Sequence, residues 1–147
     1  MSINICKIIP ENPNSDISNN SEKAIAHLNK KLKAESISFT DRGQISFIDC
    51  GENLERITCP ICNADLPFDW WSETMDVCYE NGFSDLSVTL PCCSKTSSLN
   101  DLKYDFPCGF AKQEITITEP SAIPDDLTVK EIESILGEKV RIIICRY

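Results

Sequence analysis

The sequence predicts an α+β fold in which a mainly antiparallel sheet with two or three helices carries a zinc-knuckle insert. Segments that alternate apolar and polar residues, as strands do, lie on both sides of a cysteine-rich middle region. Helical segments with capping signals lie between those strands, and the cysteines of the middle region have the spacing of metal ligands. The order is β-α-β-β, then the insert, then β-α-β, and a ferredoxin-like arrangement of the two flanks is the leading expectation.

The N-terminal flank is predicted to contain a strand, a helix and a hairpin. The strand is SINICKII, residues 2–9, and prolines end it. The helix lies in EKAIAHLNKKLK, residues 22–33, where apolar side chains recur at helical spacing, and Asn19 is placed to cap it. The alternating segments ESISFT and QISFID surround Asp41-Arg42-Gly43, a sequence typical of a β-hairpin turn.

The middle region is predicted to contain a tight CPIC turn, a helix and a short strand. Asp65 is placed to cap the helix, which Asn81-Gly82 ends. The core face of this helix is expected to carry Trp71, Met75, Cys78 and Tyr79. The strand is LSVTL, and the segment from Thr96 to Pro107 is expected to be irregular.

The C-terminal flank is predicted to contain a strand, a helix and a final strand. FAKQEITIT is strand-like, and a capping box of Thr128 and Glu131 begins the helix, which Gly137 ends. KVRIIICRY then alternates as the last strand. We therefore expect a single domain over residues 1–147, with the cysteine-rich insert at about 57–107.

Composition indicates a globular protein without a membrane-spanning segment. Hydrophobic residues make up 41% of the chain and charged residues 25%. No apolar run approaches the roughly 18 residues that cross a bilayer, and the N-terminus lacks the pattern of a signal peptide. We therefore expect a cytoplasmic location, where thiols are kept reduced.

The chain has nine cysteines, and their spacing favours a metal site. Cys59 and Cys62 form a C-x-x-C pair, in which a tight turn directs both sulfurs to one metal ion. Cys92 and Cys93 are adjacent, so both can bind the same ion only if the chain bends sharply there. The predicted ligands of a structural Zn²⁺ ion are Cys59, Cys62, Cys92 and Cys93.

Other roles for the cysteines remain open. Cys108 can replace Cys92 or Cys93 as a ligand, and Cys78 is a further substitute. A disulfide framework is disfavoured in a reducing compartment. The CPIC motif is also similar to a thioredoxin-type redox site, but such a site places its first cysteine at a helix N-terminus, and here the predicted helix begins after the motif.

No catalytic constellation is evident, and the remaining polar residues have simpler explanations. His27, the only histidine, lies among lysines in the first predicted helix and is expected to be solvated. Asp69, Glu73 and Asp76 fall on one face of the second helix and are expected to form a solvated face. Trp70 and Trp71 cannot share a face of that helix, so if Trp71 belongs to the core, Trp70 points about 100° away. Trp70 then either packs against the zinc turn or the irregular segment, or is an exposed aromatic anchor for a partner.

The run FIDCGENLERITCPIC, followed by DWW and DLSVTLPCCSKTSSLNDLKYDFPCGF, resembles a family of small bacterial zinc-knuckle proteins without an established activity. The resemblance covers about residues 47–111. It implies that CPxC and PCC supply the ligands Cys59, Cys62, Cys92 and Cys93, with Cys108 as a departure from the pattern. It implies no enzymatic activity, and the chain has no phosphate-binding loop of the G-x-x-x-x-G-K-[ST] type.

The formal charge of −9 indicates which kind of partner the protein can bind. Affinity for nucleic acid depends on basic residues that neutralise phosphates, and 14 basic residues face 23 acidic ones. We therefore expect a non-enzymatic, zinc-stabilised binding or adaptor protein, of which an immunity-type inhibitor of a basic protein is one form. The alternative is a nucleic-acid-associated zinc-ribbon protein, and a zinc-dependent or thiol-redox enzyme is the third.

Overall fold

A computed structural model describes residues 3–50 and 54–147, and it confirms the α+β fold class. The described part contains three α-helices, one four-stranded sheet and two two-stranded sheets. The elements in chain order are β1 (Asn4–Pro10), α1 (Ser21–Lys31), β2 (Ser36–Ile48), β3 (Ile57–Thr58), α2 (Phe68–Glu80), β4 (Ser87–Thr89), β5 (Thr96–Ser98), β6 (Lys103–Tyr104), β7 (Gly109–Thr118), α3 (Asp126–Leu136) and β8 (Val140–Arg146).

The chain divides into two compact units. The flanking unit comprises Met1–Asn53 and Pro107–Tyr147, and the insert unit comprises Leu54–Phe106. The sequence places the insert at about 57–107. That the whole chain behaves as one domain stays a prediction.

The four-stranded sheet of the flanking unit has the order β2-β7-β1-β8, and all neighbouring strands are antiparallel. The helix α1 links β1 to β2 with β7 between them, and α3 links β7 to β8 with β1 between them. This is the split β-α-β arrangement of the ferredoxin-like fold, as expected for the flanks. The final strand pairs with β1 along its whole length. The first predicted strand included Ser2, which lies outside the described residues.

One face of this sheet forms a hydrophobic core with α1 and α3. The two helices contribute small and branched apolar side chains at helical spacing, and the strands contribute alternate residues, as the periods of helix and strand require. Full burial of a Leu or Ile side chain stabilises the fold by roughly 1.5–3 kcal/mol. The buried residues of this core include Cys6, Ile8, Ala24, Leu28, Ile115, Ile117, Ile132 and Leu136.

The predicted hairpin at Asp41-Arg42-Gly43 is wrong. Residues Ser36–Ile48 form one strand that pairs with β7 on both sides of a register shift between Asp41 and Ser46. The polar residues interact with the neighbouring strand β7 instead of forming a turn. Arg42 forms an ion pair with the buried Glu114 at 2.6 Å, and Asp41 accepts a hydrogen bond from Gln113. Gly43 has a φ of +77°, which a bulge tolerates best when the residue is glycine.

The helix boundaries also differ from the predicted caps. The N-cap of α1 is Asn20, not Asn19, and its side chain makes no capping hydrogen bond. In α3, Asp125 is the N-cap and accepts a hydrogen bond from the backbone of Thr128 at 2.8 Å, so the cap lies three residues before the predicted one. Asp is a stronger N-cap than Thr, which accounts for the earlier start. Gly137 ends α3 at a φ of 77°, as predicted.

In the insert unit, α2 begins at Phe68 with Pro67 as N-cap, whereas the predicted cap Asp65 pairs with Arg56 at 2.6 Å. The predicted core face is also corrected, since Tyr79 is 69% exposed and Cys78 is the buried residue of this helix. Tyr79 instead packs against Phe83, with the two ring centroids 5.8 Å apart. Its position is about 100° away from Cys78 around the helix, which takes it off the core face.

The segment from Thr96 to Pro107 is more regular than predicted. It contains β5, which pairs with β4, and β6, which pairs with β3. Trp71 packs against Tyr104 of β6 with the ring centroids 6.3 Å apart, and the Tyr104 hydroxyl donates to the Leu99 carbonyl at 2.7 Å. Strands of two or three residues give too little alternation to be detected in a sequence.

No helix in residues 3–50 and 54–147 has the length and hydropathy to span a bilayer.

Candidate metal centre

The CPIC motif forms a tight turn between β3 and α2. The N–H of Cys59 donates a hydrogen bond to the Ala64 carbonyl at 2.8 Å, and the N–H of Asn63 donates one to the Cys59 carbonyl at 3.1 Å. Asn63 lies at a φ of 63°, a left-handed conformation that Asn adopts more readily than most residues. Lys103 donates to the Asn63 side chain at 2.8 Å and holds it in place. The turn therefore brings the two sulfurs of the motif to one side.

The PCC motif forms a second turn with the same hydrogen bonds. Leu90 donates its N–H to the Lys95 carbonyl at 2.9 Å, and Ser94 donates to the Leu90 carbonyl at 2.9 Å. Ser94 lies at a φ of 58°, as Asn63 does in the first turn. The chain is thus sharply bent at Cys92 and Cys93, which is the condition under which adjacent cysteines can approach one ion.

Alignment of the two turns shows how the second one supplies its sulfurs. Cys59-Pro-Ile-Cys62-Asn-Ala corresponds to Leu90-Pro-Cys-Cys93-Ser-Lys, so Cys93 occupies the place of Cys62. Leu90, buried, replaces the first cysteine of the turn. Cys92, two positions further on, provides the other sulfur. The second turn is therefore a variant of the first in which one sulfur has moved from the first position to the third.

The two turns bring four sulfurs together. The Sγ atoms of Cys59, Cys62, Cys92 and Cys93 all lie within 4.8 Å of one another, with Cys59 and Cys93 3.9 Å apart and Cys62 and Cys92 3.3 Å apart. Four sulfurs that surround one zinc ion at about 2.3 Å in a tetrahedron are about 3.8 Å from one another. The group therefore has the dimensions of a metal site and could hold a metal ion.

Backbone amides support a negative charge on this group. The N–H groups of Ile61 and Cys62 both point at the Cys59 sulfur, at 3.4 Å. Burial opposes ionisation of Cys59, but these amides donate to its sulfur and lower the pKa of the thiol to about 6. Partial desolvation and contact with the other thiols raise the pKa of Cys92 to about 12. A metal ion that binds all four sulfurs must displace protons, so its affinity is expected to depend on pH.

The group is open to solvent on one side. Cys59 is fully buried and Cys93 is half-buried, whereas Cys62 and Cys92 are exposed. The exposed pair provides an entry path for a metal ion and for a chelator.

The substitutes considered for the ligand set lie outside this group. Cys108 is buried directly before β7 in the flanking unit, and Cys78 is buried in α2. The placement of the CPIC turn also differs from that of a thioredoxin-type site, because α2 begins only at Phe68. The N-terminal dipole of α2 therefore does not act directly on Cys59.

The other residues considered from the sequence are not members of the sulfur group. His27 on α1 is only 21% exposed, so the expectation that it is solvated is wrong, and its Nε2 approaches Glu131 of α3 at 3.3 Å. Asp69, Glu73 and Asp76 are exposed on α2, as expected for a solvated face. Trp71 packs locally, and Trp70, which points elsewhere on α2, lines a groove together with Val77.

The relation between the two turns was detectable in the sequence but was missed. Both segments have Pro in the second position, Cys in the fourth, and in the fifth a small polar residue at positive φ. The similarity of the two turns is hard to see in the sequence because the second segment lacks the first cysteine.

Compared with protein-family models, with curated proteins and with solved structures, the chain gave no match in any of the three. The family resemblance of residues 47–111 therefore stays an expectation.

Proposed function

We propose that Cys59, Cys62, Cys92 and Cys93 bind one structural Zn²⁺ ion, and that the protein is a non-enzymatic binding module whose insert unit this ion stabilises. The observation that carries the proposal is the set of four sulfurs within 4.8 Å of one another, supplied by two turns with the same backbone hydrogen bonds. Zn²⁺ in structural sites is four-coordinate and tetrahedral, and Cys₄ is one of its common ligand sets.

The ligand set separates a structural site from a catalytic one. Catalytic zinc sites keep one position for water or substrate, whereas four thiolates fill the tetrahedron. X-ray absorption spectroscopy of the purified protein tests this point. The expected spectrum shows a zinc edge and four sulfur neighbours at about 2.3 Å. Three sulfurs and one oxygen would support the zinc-enzyme alternative instead.

We also propose that the partner is a basic protein. The formal charge is −9, and four thiolates with one Zn²⁺ ion would add two further negative charges. Such a surface attracts a basic protein and suppresses binding to acidic partners. An inhibitor that covers a basic protein, as immunity-type proteins do, is one function of this kind.

Cross-linking and affinity capture from the native lysate, followed by mass spectrometry, test the proposed partner. The expected result is one basic protein at a stoichiometric ratio, displaced by moderate salt because exposed charges are screened within about 8–10 Å at physiological salt. A protein that stays a lone monomer and captures no protein contradicts the proposal. The nucleic-acid alternative predicts a gel shift with mixed RNA and DNA at low salt, which we expect to be absent.

A further inference from the structure

A groove in the insert unit runs between α2 and the short strand β4. It has a volume of about 250 Å³, and Trp70, Thr74 and Val77 of α2 face Ser87, Val88 and Thr89 of β4 across it. Val77 is 62% exposed, which is a high value for a large aliphatic side chain that lines a groove. An exposed apolar wall of this kind is typical of a contact surface.

The groove follows the outer edge of β4. Three successive residues of β4 line the groove, and because successive side chains point to opposite faces, the groove also meets the main chain of the strand. The residues of β5, which pairs with β4 on its other side, do not line it. Among the described strands β4 pairs with β5 alone, so the groove borders the edge that has no strand beside it.

The hydrogen-bond pattern shows which backbone groups point outward at this edge. Leu86 accepts from Leu99, and Leu90 donates to Lys95, so the main chain at positions 86 and 90 faces β5. Because the direction alternates along an antiparallel pair, Ser87 and Thr89 direct their main-chain groups to the outer edge. Asp85 accepts from the Ser87 N–H at 2.9 Å. The N–H and C=O of Thr89 remain the central groups at which a further strand can pair.

Carboxylates border the same groove. Asp69, Glu73, Asp76 and Glu80 are all exposed along α2, and none of them forms an ion pair with the described residues. Glu73 lies one helical turn from both Trp70 and Val77, and Glu80 follows Val77 by three positions. Glu73 and Glu80 are therefore neighbours of Trp70 and Val77 on the surface of α2.

We propose that this groove binds an extended segment of a basic partner protein, which pairs with β4 as an added strand. Addition of a strand at a sheet edge provides backbone hydrogen bonds, while pockets select alternate side chains. Lysine or arginine at alternate positions would pack its aliphatic stem over Trp70 and Val77 and place its charge near Glu73 and Glu80. The proposal rests on the proposed binding function and names the surface that performs it.

The proposal is tested with three short fluorescein-labelled peptides whose binding is measured by fluorescence anisotropy. The first alternates lysine and valine, the second alternates lysine and proline, and the third alternates glutamate and valine. The second peptide has the charge of the first but cannot form a strand, because proline lacks the N–H group. We expect the zinc-loaded full chain to bind the lysine-valine peptide at least about tenfold more tightly than either of the others.

Two pairs of variants locate the binding surface. Val77→Lys changes the groove, and Tyr79→Lys makes the same charge change on an exposed position of α2 that does not line it. Thr89→Pro removes an outward N–H from β4, and Thr96→Pro removes the outward N–H of its cross-strand partner on β5. Val77→Lys and Thr89→Pro should weaken binding about tenfold, or about 1.4 kcal/mol, whereas the two control variants should retain it.

Equal affinities for the lysine-valine and lysine-proline peptides would overturn the proposal. So would the absence of any binding of the lysine-valine peptide, or an equal loss of its affinity in Val77→Lys and Tyr79→Lys. The outcome is distinguishable from a failure of the proposed function. If a basic protein captured from the lysate binds wild type and Val77→Lys equally well, the binding function stands and this groove is not its surface. If no basic protein is captured, the binding function itself fails.

Discussion

Asn63 and Ser94 show at the scale of single residues how the metal centre is built. Each lies at the same point of its turn with a φ near 60°, and each turn closes through the same two backbone hydrogen bonds. A left-handed conformation costs a residue with a Cβ atom roughly 1–2 kcal/mol, and most of all a β-branched residue. The C-x-x-C spacing predicted the first turn. Spacing alone did not predict the second turn, because adjacent cysteines can approach one ion only where the chain bends sharply, and the bend includes Ser94 in a left-handed conformation.

Replacing Ser94 tests this dependence. Ser94→Val places a β-branched side chain at a φ of 58° and should weaken zinc binding about tenfold or more, the equivalent of about 1.4 kcal/mol. Ser94→Gly should bind zinc at least as well as wild type, because glycine adopts this conformation without strain. Competition with a chromophoric chelator measures both affinities. Equal affinities of the valine and glycine variants would show that the turn does not need its left-handed residue.

The cap of α3 gives a pH-dependent prediction. Hydrogen bonds from the Thr128 hydroxyl and amide lower the pKa of Asp125 below its ordinary value. Since the folded-state pKa is depressed, the ionised cap stabilises the protein above the unfolded-state pKa, and this contribution disappears as the pH falls through the folded-state pKa. Asp125→Ala should therefore melt at a lower temperature than wild type at pH 7, and the difference should shrink below about pH 4. A difference that is constant over this range would exclude the cap as its source.

At the scale of elements, the period of the apolar residues predicted the three helices and the longer strands, but not that the two segments before the insert form one strand. ESISFT and QISFID alternate as two hairpin strands would, yet β7 is long enough to pair with both, so they form one strand with a bulge. The buried Glu114 and Gln113 of β7 explain the polar residues at the bulge. Such a cross-strand requirement involves residues more than 70 positions away and leaves no local signal.

The core between α1, α3 and the sheet predicts that substitution lowers the stability of the fold strongly at one position of α3 and only slightly at another. Ile132 is fully buried in this core, whereas Leu127 of the same helix is 66% exposed. Ile132→Ala should lower the free energy of unfolding by about 2–5 kcal/mol, because it removes buried methyl groups and leaves a cavity. Leu127→Ala should change it by less than about 0.5 kcal/mol. Urea unfolding followed by circular dichroism measures both, and similar effects at the two positions would contradict the packing described.

At the scale of the whole molecule, the two units differ in what holds them together. The flanking unit has its own hydrophobic core, with large side chains buried from three strands and two helices. The insert unit has strands of only two or three residues, and its longest element, α2, buries a single residue. Other parts of the insert unit also bury apolar side chains, among them Ile57, Leu66, Leu90 and Leu99. The unit spans only Leu54–Phe106, however, and units this small commonly need a further source of stability, of which a structural zinc ion can supply about 10 kcal/mol or more.

Removal of the metal should therefore affect the two units unequally. After treatment with a zinc chelator, we expect limited proteolysis to cleave within Leu54–Phe106 while the flanking segments Ile3–Cys50 and Pro107–Tyr147 remain protected. Return of zinc should restore resistance. Mass spectrometry of the fragments locates the cuts. Equal cleavage of both units, or an unchanged digestion pattern, would contradict a zinc ion that stabilises the insert unit.

The central claim is that four named sulfurs hold one metal ion, and native mass spectrometry tests it most directly. Wild type should carry the mass of one zinc ion per chain, and Cys59→Ser should carry none. Cys78→Ala changes a buried cysteine of the same unit that lies outside the group, so it should retain one ion and serves as the matched control. A wild-type chain without metal, or zinc retained at full stoichiometry by Cys59→Ser, would contradict the account.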